Sequence, residues 1–171
     1  TTTGIGAIVE YDTRDFIPNP YKGLYLSLKG TWRPDFLGSN AKSLWQAIFT
    51  ANSYHRVWKG GIVATELYGE FNASGTPWLM KARLGGSKRM RDNDMITLQV
   101  ELRQNIWRRI GCVVWGGAGN VFPSFEKFKW GYTLPNYGIG LRWEFKKRIN
   151  IRVDYGFGKH TSGFLFNINE A

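Results

Sequence analysis

The residues best able to bind a metal or move a proton at neutral pH are His55, His160 and the single cysteine, Cys112. They stand far apart, and their spacings match no tetrahedral metal site. Ser162-Gly163 lacks the Gly-x-Ser-x-Gly frame of a nucleophile elbow. Gly116–Gly119 (GGAG) is not followed by a P-loop lysine and lies in strand-like sequence, so a bend facing a folded-in loop explains it better than a phosphate cradle. Glu10, Asp12 and Asp15 could hold a cation near a strand end, but turn chemistry accounts for them equally well. The expectation is therefore a protein that is not an enzyme, with no catalytic constellation, metal or cofactor. The most distinctive stretch is Leu84–Asp94 (LGGSKRMRDND), which is glycine-led, basic and too long for a tight hairpin. A loop of that length between two alternating segments usually has a function. It is expected to fold back into the polar interior of the sheet that carries it.

The elements around that loop alternate with period two, the signature of strands. Ile5, Ala7, Val9 and Tyr11 oppose Gly6, Ile8, Glu10 and Asp12, and Leu24, Leu26, Leu28 and Trp32 oppose Tyr25, Ser27, Lys29 and Thr31. Leu44–Tyr54 is a strand with a blurred pattern, followed by a turn at His55–Gly60. Gly61–Asn72 and Met95–Gln104 flank the long loop, and Ile96, Leu98, Val100 and Leu102 oppose Thr97, Gln99, Glu101 and Arg103. After a turn at Asn105–Arg109, Gly111–Phe122 puts Val113, Trp115 and Val121 on one face with Gly117 and Gly119. Beyond the loop Pro123–Pro135, Tyr137, Ile139, Leu141, Trp143 and Phe145 oppose Gly138, Gly140, Arg142 and Glu144. Turns at Lys146–Arg148 and Lys159–Ser162 separate the last strands, where Ile151, Val153, Tyr155 and Phe157 oppose Arg152, Asp154, Gly156 and Gly158. The sum is about nine strands, each of roughly the 9–11 residues that a tilted strand needs to cross a bilayer. No segment has helical periodicity.

The chain has 171 residues, 16% of them aromatic, and a net charge of +10. That charge suits a solvated basic surface or attraction to anionic lipid headgroups. A nucleic-acid partner is not expected, because the lysines and arginines are scattered instead of forming a stripe. No run of about 18 apolar residues is present, which excludes a transmembrane helix but not a barrel. No signal-peptide pattern opens the sequence, so a mature or trimmed product is expected. A soluble sandwich or ligand-binding barrel would also alternate. Two features favour a membrane barrel instead. Glu66, Glu101, Arg103, Arg142, Glu144, Arg152 and Asp154 occupy the face opposite the aromatics, where a soluble barrel would need its apolar core. Trp32, Trp58, Trp107, Trp115, Tyr137 and Trp143 recur near strand ends, as interfacial girdles do. The predicted fold class is all-β, an antiparallel transmembrane β-barrel with eight to nine strands in this chain.

Gly138–Phe145 (GIGLRWEF), Asn150–Gly158 (NIRVDYGFG) and Gly163–Ala171 (GFLFNINEA) resemble the C-terminal strands of the bacterial surface antigen superfamily. These outer-membrane barrels include the BamA and TamA assembly proteins and the two-partner secretion transporters. Tyr11–Asp15 with Asn19–Gly23 (YDTRD and NPYKG) resembles a strand and turn of the same barrel, and Leu84–Arg91 resembles its sixth extracellular loop. The resemblance implies a bacterial outer-membrane location. It also implies a role in outer-membrane protein assembly, insertion or translocation, by way of a weak seam between first and last strands. Lipid, lipopolysaccharide, client outer-membrane proteins and barrel-associated subunits would be the partners. It further implies a lock in which Gly85 and Gly86 turn the loop inward and Arg91 pairs with Glu101. The family's glycine and aromatic after the loop arginine are replaced by Asp92 and Asn93. Counting nine strands back from a periplasmic C-terminus makes the chain the C-terminal part of a larger barrel, without periplasmic repeats. A barrel anchoring an absent patatin-like lipase or phosphoesterase domain is the alternative.

Overall fold

The computed structural model describes residues 3–37, 42–84, 90–159 and 161–168. Its elements are β1 (Ile5–Asp12), β2 (Gly23–Arg33), β3 (Leu44–Trp58), β4 (Gly61–Asn72), β5 (Ala82–Leu84), β6 (Met90–Asp92), β7 (Asp94–Trp107), β8 (Ile110–Phe122), β9 (Leu134–Lys146), β10 (Ile149–Gly158) and β11 (Thr161–Ile168). Nine of them form one antiparallel sheet in the order β1-β2-β3-β4-β7-β8-β9-β10-β11. β5 and β6 form a separate hairpin inside the long β4–β7 connection. Each strand of the large sheet pairs with the next sheet strand in chain order, so alternation and turn length together set the register, and a one-residue slip would exchange the two faces.

The two faces have inverted polarity. In β9 the outward residues Ile139 and Leu141 are each 60% exposed, whereas Arg142 is 5% exposed. In β7, Leu98, Val100 and Leu102 are exposed while Arg103 is buried. The side that is covered is the charged side, and the side left open is aliphatic and aromatic. Trp32 and Trp45 face each other at one end of the β2–β3 pair. Trp107 and Trp143 lie toward the opposite end of their strands, and all four are about half exposed.

The boundaries that differ most from those read in the sequence are the ends of β3 and β7. β3 continues through His55 to Trp58, and only Lys59 and Gly60 turn the chain. Ladder pairing with β4, of His55 with Val63, Arg56 with Ile62 and Trp58 with Gly61, holds the extra residues extended despite their poor alternation. β7 likewise runs to Trp107, leaving Arg108-Arg109 as the turn, with Arg108 at a left-handed φ of 44°. Trp115 is also not a strand-end residue. It lies within β8 on the covered face, where Gly138 and Gly156 on the two next strands leave it room. A Cβ at Gly138 would come within 2.6 Å of the Trp115 ring, and one at Gly156 within 3.0 Å.

Because the strands alternate in direction, the connections sort to two ends. One end carries the turns Lys59-Gly60, Arg108-Arg109 and Lys147-Arg148 with the 13–22 connection. The other carries the long connections after β2, β4 and β8. At the short-turn end the sheet curls until Arg148, between β9 and β10, reaches the β1–β2 connection. β1 and β11 remain the two edges of the sheet, and no closed barrel forms among the described residues.

Candidate functional site

Inner-face residues line up in rungs across the curled sheet. One rung joins Arg56, Ile62, Arg103, Val113, Gly140 and Asp154, all directly paired from β3 to β10. Strand alternation supplies the arginines to this face, and their partners come from the same face. Glu101, two positions from Arg103 on β7, takes its Nε and Nη2 on one oxygen at 3.0 Å each. Gln99 donates to the other carboxylate oxygen at 2.9 Å. On the next strands Asp154 is held between Arg142 and Arg152, with Arg152 Nη2 at 2.6 Å. Asp154 is 3% exposed, so its charge depends on both guanidinium groups. Gly140 is required there: a Cβ would overlap Asp154 Oδ1 and come within 2.6 Å of Arg142 Nη1.

Above this charged rung, toward the short turns, lies a cavity of about 500 Å³. Arg103 and Arg142 border it from the wall, and Arg56, Lys59 and Arg109 stand at its rim, with Glu144 the carboxylate among the lining residues. Among the described residues Arg56, Lys59 and Arg109 form no ion pair; Arg56 lies 5.1 Å from the Tyr21 ring. A second cavity of about 220 Å³ continues deeper and shares Arg103.

The curl over the cavity is fastened by Arg148. Its Nη2 donates to Asp15 Oδ2 at 2.7 Å and to the Asn19 carbonyl at 2.8 Å. Its guanidinium also stacks over Phe16 and Tyr21, with ring centroids at 4.8 and 4.2 Å. Partial burial alone would raise the Asp15 carboxyl, but the Tyr21 and Lys22 N–H groups and Arg148 outweigh it and hold the carboxyl below its ordinary value.

At the opposite end the long connection packs against the inner face. Ala82 of β5 packs with Met95 and Val121 of the sheet, and Leu84 and Tyr68 join them. A Cβ on Gly119 would meet Leu84 Cδ1 at 2.6 Å, so the GGAG segment does face a folded-in loop. At the loop's base Asp94 accepts from Asn72 N–H at 3.1 Å, and Asn72 Nδ2 donates to the Asn93 carbonyl at 2.7 Å.

The expected lock is not assembled as foreseen. Arg91 does not meet Glu101. Its Nη1 donates to the Trp78 carbonyl at 2.7 Å, and its guanidinium lies 4.0 Å from the Trp78 ring. The β5–β6 register, which pairs Arg83 with Arg91, holds the loop arginine beside the 3-10 turn Trp78–Met80. Glu101 lies farther down β7, where Arg103 on the same strand and face supplies the closer guanidinium. Gly85 and Gly86 lie outside the described residues. The residues that sequence reasoning missed are the cations at the short-turn end, Arg56 near the end of β3 and the turn residues Lys59, Arg109 and Arg148. Their signal was present in the basic residues placed at successive short turns, which an up-and-down meander gathers at one end.

Comparison with protein-family models and with curated proteins found no match to this chain.

Proposed function

We propose that this chain is a wall of a bacterial outer-membrane β-barrel of the surface antigen type, acting in outer-membrane protein insertion or translocation. The inverted polarity of the sheet carries the reading. Outward rows such as Tyr137, Ile139, Leu141, Trp143 and Phe145 suit lipid tails bordered by aromatic residues, and inward rows of paired charges suit a wet lumen. The inward-folded loop and the sequence resemblance of the last strands, the β1–β2 connection and Leu84–Arg91 support the family assignment. β1 and β11 run in the same direction, so an antiparallel wall closing between them takes an odd number of further strands. Until it closes, each edge offers a row of unpaired backbone groups to an incoming client strand.

The test has two steps. The chain, expressed with an outer-membrane targeting signal, should fractionate with membranes and resist alkaline extraction. Reconstituted in lipid vesicles, it should speed the folding of a second outer-membrane barrel, scored by protease protection. Partition into the aqueous phase without detergent would defeat the membrane reading. Normal membrane insertion without any effect on client folding would defeat the assembly role.

A further inference from the structure

We propose that the cavity at the short-turn end is a binding site for a phosphate-bearing anion. The inference goes beyond the assembly role and does not require it, since it needs only the curled sheet and its inner face. Its volume, about 500 Å³, falls within the range of small-molecule sites, roughly 300–1,000 Å³. Its charge is unbalanced. Arg56, Lys59 and Arg109 have no carboxylate partner among the described residues, and the lining carboxylate is Glu144.

Arg103 gives an independent sign of a missing partner. Glu101 occupies its Nε and Nη2, while Nη1 is buried and has no hydrogen-bond partner among the described residues. The residue is 8% exposed and borders both cavities. A buried guanidinium N–H without an acceptor is costly, and a small turn of the Arg103 guanidinium toward the cavity it borders would let an oxyanion supply one. Phosphate fits best because its several oxygens can accept from a guanidinium edge and from separate cations together. The source is a soluble phosphate ester entering from the short-turn mouth or the phosphate of a lipid headgroup reaching in from that rim.

The experiment is a calorimetric titration of the folded chain in nonionic detergent at low salt, with pyrophosphate as the probe. One saturable site is expected, weakening as salt rises. Lys59 and Arg109 are exposed turn residues, so Lys59→Gln with Arg109→Gln should leave the strand content unchanged by circular dichroism. The pair should weaken binding by about tenfold or more, the scale of losing one or two charge-assisted hydrogen bonds. Arg103→Lys, which keeps the charge but removes Nη1, should weaken it as well. Titration with short-chain phosphatidic acid separates the sources: binding that pyrophosphate displaces assigns the site to a lipid phosphate, and pyrophosphate binding without lipid binding assigns it to a soluble ester. The proposal is overturned by an absence of saturable pyrophosphate binding at millimolar concentration. Unchanged affinity in the folded double variant, or an acidic peptide displacing pyrophosphate at lower concentration, would also overturn it.

Discussion

Along β7 the inner-facing residues change from Met95 through Thr97, Gln99 and Glu101 to Arg103, and the ends of the inner face change with them. At the Met95 end the long connection lays Ala82 and Leu84 against Met95, Val121 and Tyr68, so the contacts there are carbon on carbon. At the Arg103 end the 13–22 connection, held by Arg148, contributes Asn19 and Tyr21 to the lining, and charged side chains border an open cavity. The same backbone geometry serves both. Apolar packing needs shape and tolerates no water, whereas paired charges need partners and tolerate a wet space beside them. The β4–β7 connection brings apolar side chains to one end and the 13–22 connection brings Asn19, Tyr21 and the Asp15–Arg148 pair to the other, in step with the side-chain chemistry of the rungs.

The largest expected effect tests the charged end. Asp154→Ala removes the carboxylate between Arg142 and Arg152 and leaves the buried Arg142 and the partly buried Arg152 without it. It should lower stability by about 3–5 kcal/mol, read as a fall in the urea midpoint of the chain refolded in detergent. Leu84→Ala at the plugged end, where the side chain is only partly covered, should cost about 2 kcal/mol. A smaller loss for Asp154→Ala than for Leu84→Ala would mean that the charged rung does not hold its end. Gly119→Val comes next. Its added methyl groups meet Leu84 and Thr97 Cγ2, the latter 3.1 Å from the Cβ position, and the cost should be about 1–3 kcal/mol. Combined with Leu84→Ala the same substitution should cost less, because the two side chains compete for one volume. Additive losses would show that Leu84 does not occupy the space over Gly119.

The parity of β7 and β9 was legible because large apolar residues on one face alternate with small, polar or charged residues on the other over Ile96–Arg103 and Tyr137–Phe145, and burial follows that alternation. β3 was not, because Ala47, Ala51 and Ser53 on one face and Thr50 and Asn52 on the other are too alike in size and polarity to separate. Its two neighbours in the sheet fix its length instead. Trp115 reads as an interfacial tryptophan unless one knows that Gly138 and Gly156 lie beside it, and only the pairing of β8, β9 and β10 brings them there. The inward path of the loop was visible in its length and in GGAG. The partner of Arg91 was not, since it depends on the β5–β6 register and on a 3-10 turn with no periodic signature.

A smaller effect tests the clasp over the open end. The Asp15 carboxyl titrates below its ordinary 3.8 in the folded chain, so the ionised form is favoured by folding. The stability it contributes is present above that value and is lost as pH falls through the lower folded-state value. Arg148→Met should therefore lower the urea midpoint at pH 7 by about 0.5–1 kcal/mol equivalent and by less near pH 3. An equal loss at both pH values would assign the clasp to the stacking on Phe16 and Tyr21 instead of to the ion pair.

The smallest effect distinguishes two partners for the loop arginine. If Arg91 acts through Trp78, Arg91→Ala removes one carbonyl hydrogen bond and one cation–π contact at an exposed site, about 0.5–1 kcal/mol together. Glu101→Gln acts separately, on the buried Arg103. The two losses should then add to within about 0.5 kcal/mol in the double variant. Trp78→Ala should instead remove the effect of Arg91→Ala, because the carbonyl contact alone holds the guanidinium poorly once the indole is gone. If Arg91→Ala and Glu101→Gln are strongly non-additive while Trp78→Ala is neutral, the arginine reaches the interior and the plugged end shares its charges with the open one. The division between a carbon-filled end and a charged end would then fail at the residue that links them.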